Sequence, residues 1–211
     1  MKRFFVTGIG TDVGKTAASA VLAEALNADY WKPIQAGDLD NTDTMKVHSL
    51  VSNTKSIFHP ETYRLSEPIA PHAAAEIDKI KINIQNISLP KTSNAIIIEG
   101  AGGVLVPLND KFMVIDLIKK LEAEVILVSS NYLGSINHTL LTIEALKSRN
   151  IPIAGLIFNG KPAKSSEEYI LRFTGLKCLL NIGEEKIIDK NTILKYSKII
   201  DKDWVNKISI L

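Results

Sequence analysis

Gly8-Ile9-Gly10-Thr11-Asp12-Val13-Gly14-Lys15-Thr16 follows an apolar run and precedes the Ala/Leu-rich stretch Ala17 to Leu26. Strand, glycine turn and helix therefore stand in the order that a phosphate-binding loop requires. Glycines let backbone N–H groups curl around phosphate oxygens, and the helix N-terminus adds positive potential. Lys15 is placed to reach β- and γ-phosphates, and the Thr16 hydroxyl to ligate Mg²⁺. The loop is a variant of the strict G-x4-G-K-[ST] pattern, because Ile9 sits where the first glycine belongs and Gly8 comes one residue early. The bland alternative is a strand-to-helix turn carrying a surface lysine.

Such a loop specifies a nucleotide and leaves the reaction open. Three further charges narrow it. Glu99 closes the apolar run Ala95 to Ile98 and opens Gly100-Ala101-Gly102-Gly103, expected as a glycine turn, which puts a carboxylate at a buried strand's tip. The alternative is an end-of-strand surface acid. Asp43, in Asp38-Leu39-Asp40-Asn41-Thr42-Asp43, is either a second Mg²⁺ ligand or a cap for the helix that follows. Lys32, between Trp31 and Pro33, is placed at the ligand edge of the second strand, where an ammonium holds an anion formed during reaction; a snorkelling edge lysine is the other reading.

The elements that must position these residues are legible as apolar runs. Phe4 to Thr7, Tyr30 to Pro33, Ala95 to Ile98, Val125 to Ser129 and Ile153 to Phe158 are continuous and not alternating, as strands covered on both faces are. Helical patterns over Lys15 to Asn27, Asn41 to Val51, Val114 to Leu121 and Ile136 to Arg149 separate them. The fold class is α/β: one domain over residues 1–211, with a parallel, doubly wound sheet and helices on both faces.

Composition agrees: 211 residues, 45% hydrophobic and 23% charged, make an ordinary globular chain and exclude a disordered tail protein. A net charge of +2 supplies no field for nucleic acid or an anionic membrane, while a small anionic ligand remains open. Lys161 to Leu211 carries ten basic against seven acidic residues, which reads as a solvated helix face. One cysteine, no apolar run of membrane length and an N-terminus that turns into glycine at Gly8 lead to the expectation of a cytoplasmic protein.

These residues, taken together, resemble dethiobiotin synthetases. The resemblance runs in register through Phe5-Val6-Thr7-Gly8, Thr11 to Thr16, Lys32-Pro33-Ile34-Gln35-Ala36-Gly37 and Asn41-Thr42-Asp43. It continues through Glu67-Pro68-Ile69-Ala70-Pro71-His72, Glu99 to Gly103 with Pro107-Leu108, Leu133-Gly134-Ser135-Ile136-Asn137-His138 and Asn159. It implies an ATP- and Mg²⁺-dependent ligase that closes a ureido ring on 7,8-diaminononanoate with CO2 or bicarbonate as carbon source. A carbamate forms on one amine and takes the γ-phosphate as a carbamic-phosphoric anhydride, and the second amine displaces phosphate. No enzyme nucleophile is needed, and Cys178 has no recognisable His partner.

The resemblance also assigns roles. Lys15 is assigned to the transferred phosphoryl group, Thr16, Asp43 and Glu99 to Mg²⁺, Lys32 to the carbamate, and Thr11 and Asp12 to the diamine. Asp12, Val13, Gly14, Lys15 and Thr16, with Asp43, Glu99, Gly100, Ala101 and Gly102, are implied around the nucleotide, and Asn159 and Gly160 at its base. Ala36, Gly134, Ser135, Asn137 and Tyr169 are implied on the substrate, the last four from a neighbouring subunit, so a homodimer is expected. The sequence departs from the family at Ile9 and at Ala36, where a threonine and a hydroxyl residue are usual, and at Glu185-Lys186-Ile187-Ile188, in place of a Pro-containing loop.

Two other classes fit less well. A ParA/MinD-like switch ATPase would carry a signature lysine at Gly10. A cobyrinate-type amidotransferase needs a glutaminase domain with a catalytic cysteine, for which 211 residues and Cys178 leave no room.

Overall fold

The computed structural model describes residues 1–200; positions 201–211, the end of the basic last third, lie outside the described residues. Seven strands form one parallel sheet: β1 (Arg3–Gly8), β2 (Asp29–Trp31), β4 (Phe58–His59), β6 (Ile96–Gly103), β7 (Glu124–Ser130), β8 (Ile153–Asn159) and β9 (Cys178–Ile182), ordered β4-β2-β6-β1-β7-β8-β9. A separate parallel pair, β3 (Ile34–Ala36) and β5 (Tyr63–Leu65), lies apart from it. The order reverses at β1, flanked by β6 and β7, and the phosphate loop leaves the carboxyl end of that strand.

Helices cover both faces, as expected. α1 (Lys15–Leu26), α2 (Asp43–Leu50) and α7 (Lys190–Ile199) pack on the face that buries Phe4, Val6, Tyr30, Ile97 and Ile126. α3 (Pro71–Ile77), α4 (Val114–Leu121), α5 (Ser135–Lys147) and α6 (Lys164–Thr174) cover the opposite face, with Phe5, Trp31, Ile98, Val125 and Leu127. Adjacent strand residues thus enter different cores, which explains why the strand runs are apolar without alternation. Among the described residues no helix is long and apolar enough to cross a membrane.

Three expectations need correction. Gly100 to Gly103 is not a turn: β6 continues to Gly103, so Glu99 lies inside the strand and not at its tip. The glycine permits this, since a Cβ on Gly100 would stand 2.7 Å from the Phe5 ring of neighbouring β1. The helix expected from Asn41 starts at Asp43, because the Thr42 side chain accepts the Met45 N–H and caps it. The last third is not only a solvated face: α6, β9 and α7 bury Ile170, Leu180, Ile182, Ile193 and Tyr196.

Candidate active site

The loop geometry accounts for its unusual spacing. Ile9 donates its backbone N–H to Val128 O at 3.1 Å, prolonging the β1–β7 ladder where the strict pattern would already have turned. A Cβ on Gly8 would stand 2.4 Å from Val13 Cγ2, so the early glycine is where the returning loop crosses closest. Gly14, at φ 92°, caps α1 and would meet the Asn159 side chain at 2.3 Å if it bore a Cβ. Lys15 then opens the helix and folds back, donating from Nζ to Gly10 O at 2.8 Å. Burial lowers the pKa of its ammonium, with Glu99 acting in the other direction.

A second set of groups converges from β2 and β6. Because these strands pair with Tyr30 opposite Ile97, the side chains of Tyr30, Lys32, Ile97 and Glu99 project to the α1 face together. Glu99 is 1% exposed. Its Oε1 accepts Thr16 Oγ1 at 3.0 Å and Lys32 Nζ at 3.2 Å, and its Oε2 accepts the Tyr30 hydroxyl at 3.0 Å. Lys32, 6% exposed, also donates to Asp43 Oδ2. Asp43 is held at the start of α2 by its own backbone N–H, which donates to Gln35 Oε1 at 3.2 Å; Lys46 lies 3.5 Å from its Oδ1.

Charge balance follows from this packing. Burial pushes the Lys32 ammonium down, but Glu99 and Asp43 outweigh it and hold its pKa above the ordinary lysine range. Burial pushes Asp43 up, and Lys32 with Lys46 outweighs that and keeps it below the usual carboxylate range. The Tyr30 phenol is driven well above its ordinary range by burial and then by the Glu99 and Asp43 charges, so it stays an O–H donor.

A cleft of about 700 Å³ opens over these groups. Of the residues expected from sequence, it brings together Thr11, Asp12, Gly14, Lys15, Thr16, Lys32, Ala36, Asp43, Glu99, Ala101 and Gly102. Val13 is buried beneath the loop, and Gly100 borders a smaller cavity behind β6. Asn159, closing β8, donates to Val13 O at 3.1 Å, and Gly160 N–H donates to Ile182 O. Gly134, Ser135, Asn137 and Tyr169 do not line this cleft: the first three open α5, with Ser135 buried, and exposed Tyr169 lies on α6. Tyr30 and Lys46 join the site with no motif in the sequence to mark them, and Gln35 and Pro68 to Pro71 join it from stretches with no role implied for those residues. The signal for Tyr30 was its place two residues before Lys32, which follows directly on β2, since extended backbone turns residues two apart to one face.

Lys15, Thr16 and Lys32 in the lining of this cleft suit a nucleoside triphosphate's phosphates, and Pro68 to Pro71 contribute apolar lining. A family model described as an AAA domain matches residues 2–192. The ATP-dependent dethiobiotin synthetase BioD of Christiangramia forsetii is 54% identical over 197 residues, covering 93% of this chain and 95% of that protein. The one of Cytophaga hutchinsonii is 51% identical over 205 residues, covering 97% and 99%. Among solved structures, the cell division ATPase MinD of Pyrococcus furiosus superposes with a TM-score of 0.61 at 14% identity over 99% of this chain and all of that one. A ParA family ATPase of Chlorobium tepidum gives 0.55 at 15% identity over 98% and 95%. The two ATPases share the fold alone, whereas identity above one half, carried along nearly the whole length, makes this chain a member of the ATP-dependent dethiobiotin synthetase family.

Proposed function

We propose that the chain closes the ureido ring of dethiobiotin on 7,8-diaminononanoate, with CO2 or bicarbonate as carbon source and ATP as co-substrate, releasing ADP and phosphate. The observation that carries this reading is the buried Lys32 ammonium, between Asp43 and Glu99 and across one cleft from the Lys15 loop. A cation there holds a carbamate oxygen next to the phosphoryl group that Lys15 neutralises, so attack is assisted by position and charge alone. Thr11 and Asp12 stand at the cleft wall to take the second amine, with Asp12 as proton acceptor. Asn159 and Gly160, at the carboxyl end of β8 beside the loop, flank the base.

Thr16, Asp43 and Glu99 fit a Mg²⁺ ion. They offer hard oxygens only, two of them from carboxylates already gathered on one ammonium, a donor set that would hold Mg²⁺. When bound, the ion neutralises phosphate charge during transfer. Replacing Asp43 by Asn or Glu99 by Gln is expected to raise the Mg²⁺ concentration for half-maximal rate by about tenfold or more. An unchanged Mg²⁺ dependence in both variants removes the ligand assignment.

The test of the function is incubation with diaminononanoate, bicarbonate, Mg²⁺ and ATP, with product read by mass. Ring closure is expected; phosphate release without it would favour a switch ATPase. The reading places the reaction in the cytoplasm, in keeping with a single cysteine.

A homodimer completes the site. Gly134, Ser135, Asn137 and Tyr169 lie off this chain's cleft, next to a surface that exposes Leu133, Leu141 and Phe173, with Phe173 stacked on Tyr169 at 5.8 Å. From a second copy, the α5 N-terminus would supply amides to the substrate carboxylate. Lys32→Met and Asn137→Ala homodimers should each be impaired. After subunit exchange, confirmed by native mass spectrometry, about half the dimers are mixed and roughly a quarter of all sites regain activity. Activity that stays at the mean of the two variants places both residues in one chain's site.

A further inference from the structure

We infer that Tyr30 is a positioning residue for Glu99, and that its hydroxyl sets how tightly the site holds a divalent cation. The inference rests on the assignment of Glu99 as a metal ligand. Tyr30 is fully buried, and its ring packs near Phe58 at 6.5 Å between centroids. Its hydroxyl donates to Glu99 Oε2 at 3.0 Å, while both cleft-side donors, Thr16 and Lys32, are on Oε1.

The two carboxylate oxygens therefore have separate duties. Oε2 is spoken for by the sheet, and Oε1 alone is presented to the cleft. The hydrogen bond on Oε2 restrains the carboxylate's terminal torsion, which is otherwise broad. The carboxylate offers a single oxygen in a fixed direction, without the entropy cost of being oriented by the ion. The strand register makes the anchor possible: Tyr30 pairs with Ile97, two residues before Glu99, so the long phenol spans one pleat along the shared face to reach the carboxylate.

Tyr30→Phe removes the hydroxyl and leaves the ring. Mn²⁺ affinity in the presence of ADP, read by the loss of the free-ion electron paramagnetic resonance signal, is expected to fall about tenfold in this variant. ADP affinity without metal, by calorimetry, should stay within about twofold, which also reports an intact fold. The rate at saturating Mg²⁺ should recover to about wild type, with only the Mg²⁺ requirement raised. In a Glu99→Gln background the same change should cost nothing further, because the anchor acts only through the Glu99 carboxylate.

Mn²⁺ affinity unchanged in Tyr30→Phe, or an equal loss in the Glu99→Gln background, overturns the inference. Either result, in a wild type that binds Mn²⁺ and makes product, leaves the proposed function standing. A wild type that does neither sinks both.

Discussion

Lys15→Met is expected to lower the ring-closure rate by roughly 10³-fold while the protein melts at or slightly above the wild-type temperature. The two halves of this result have one cause. The Lys15 ammonium is nearly buried against Gly10 O, with a pKa lowered chiefly by burial, so its charge is held at a cost to folding. That cost becomes useful only when phosphate oxygens gather charge beside it in the transition state. Methionine keeps the aliphatic stem that packs against the loop and discards the charge, and Lys32 still neutralises Glu99 and Asp43. Single-turnover measurement of ADP formation, alongside thermal melting, checks the pair of expectations. Turnover within tenfold of wild type would remove Lys15 from the chemistry, and a large fall in melting temperature would make it a structural lysine.

Lys32→Met should show the opposite signature, losing stability and rate together. Lys32 is the shared partner of two carboxylates, one of them almost fully buried, and removing it leaves like charges facing one another across the base of the cleft. Breaking a buried pair by deleting one partner typically costs about 3–5 kcal/mol, and the opening of Asp43 toward the cleft reduces this to roughly 2–3 kcal/mol. In a metal-free buffer the loss has a defined pH range. Asp43 has a lowered folded pKa, so its pairing contributes stability above the ordinary carboxylate range and loses it as pH falls through the lowered value. Lys32 has a raised one, so its contribution is complete below the ordinary lysine range and is lost as pH rises through the raised value. The wild-type advantage over Lys32→Met is therefore a plateau across neutral pH that shrinks toward both extremes. Mg²⁺ at a hundredfold excess over its dissociation constant should add about 2.7 kcal/mol to the variant's stability and so offset most of that loss in its melting temperature, because a divalent cation satisfies the same two carboxylates. The rate should not return with it, since the ammonium that holds the carbamate is gone. A melting temperature unchanged in Lys32→Met would show that the carboxylates are adequately solvated without it.

The sequence by itself determined the loop and the layering. Glycines at 8, 10 and 14 followed by Lys15 and Thr16 have a local reason, and the strand and helix on either side are set by apolar runs within a dozen residues. The extent of α4 was legible for the same reason, since Val114 to Leu121 repeats at helical spacing. The short strands β3, β4 and β5 were not, because two or three residues carry no period and exist only through pairing with β5, β2 and β3 in turn. Glu99 shows the division most plainly. Its chemistry was visible from its place after four apolar residues, but its burial inside β6 depends on Gly100 passing the Phe5 ring of a strand ninety-odd positions earlier. Its partners come from β2, 67 and 69 residues away for Lys32 and Tyr30, and from α1, 83 away for Thr16. Which strand lies beside which in a parallel sheet is decided by long crossovers and the packing of helices on both faces, not by the local pattern of any one segment. That is why the residue types of the site are legible in the chain, while the approach of Tyr30 to the Glu99 carboxylate is set by the pairing of β2 with β6, which no local segment encodes.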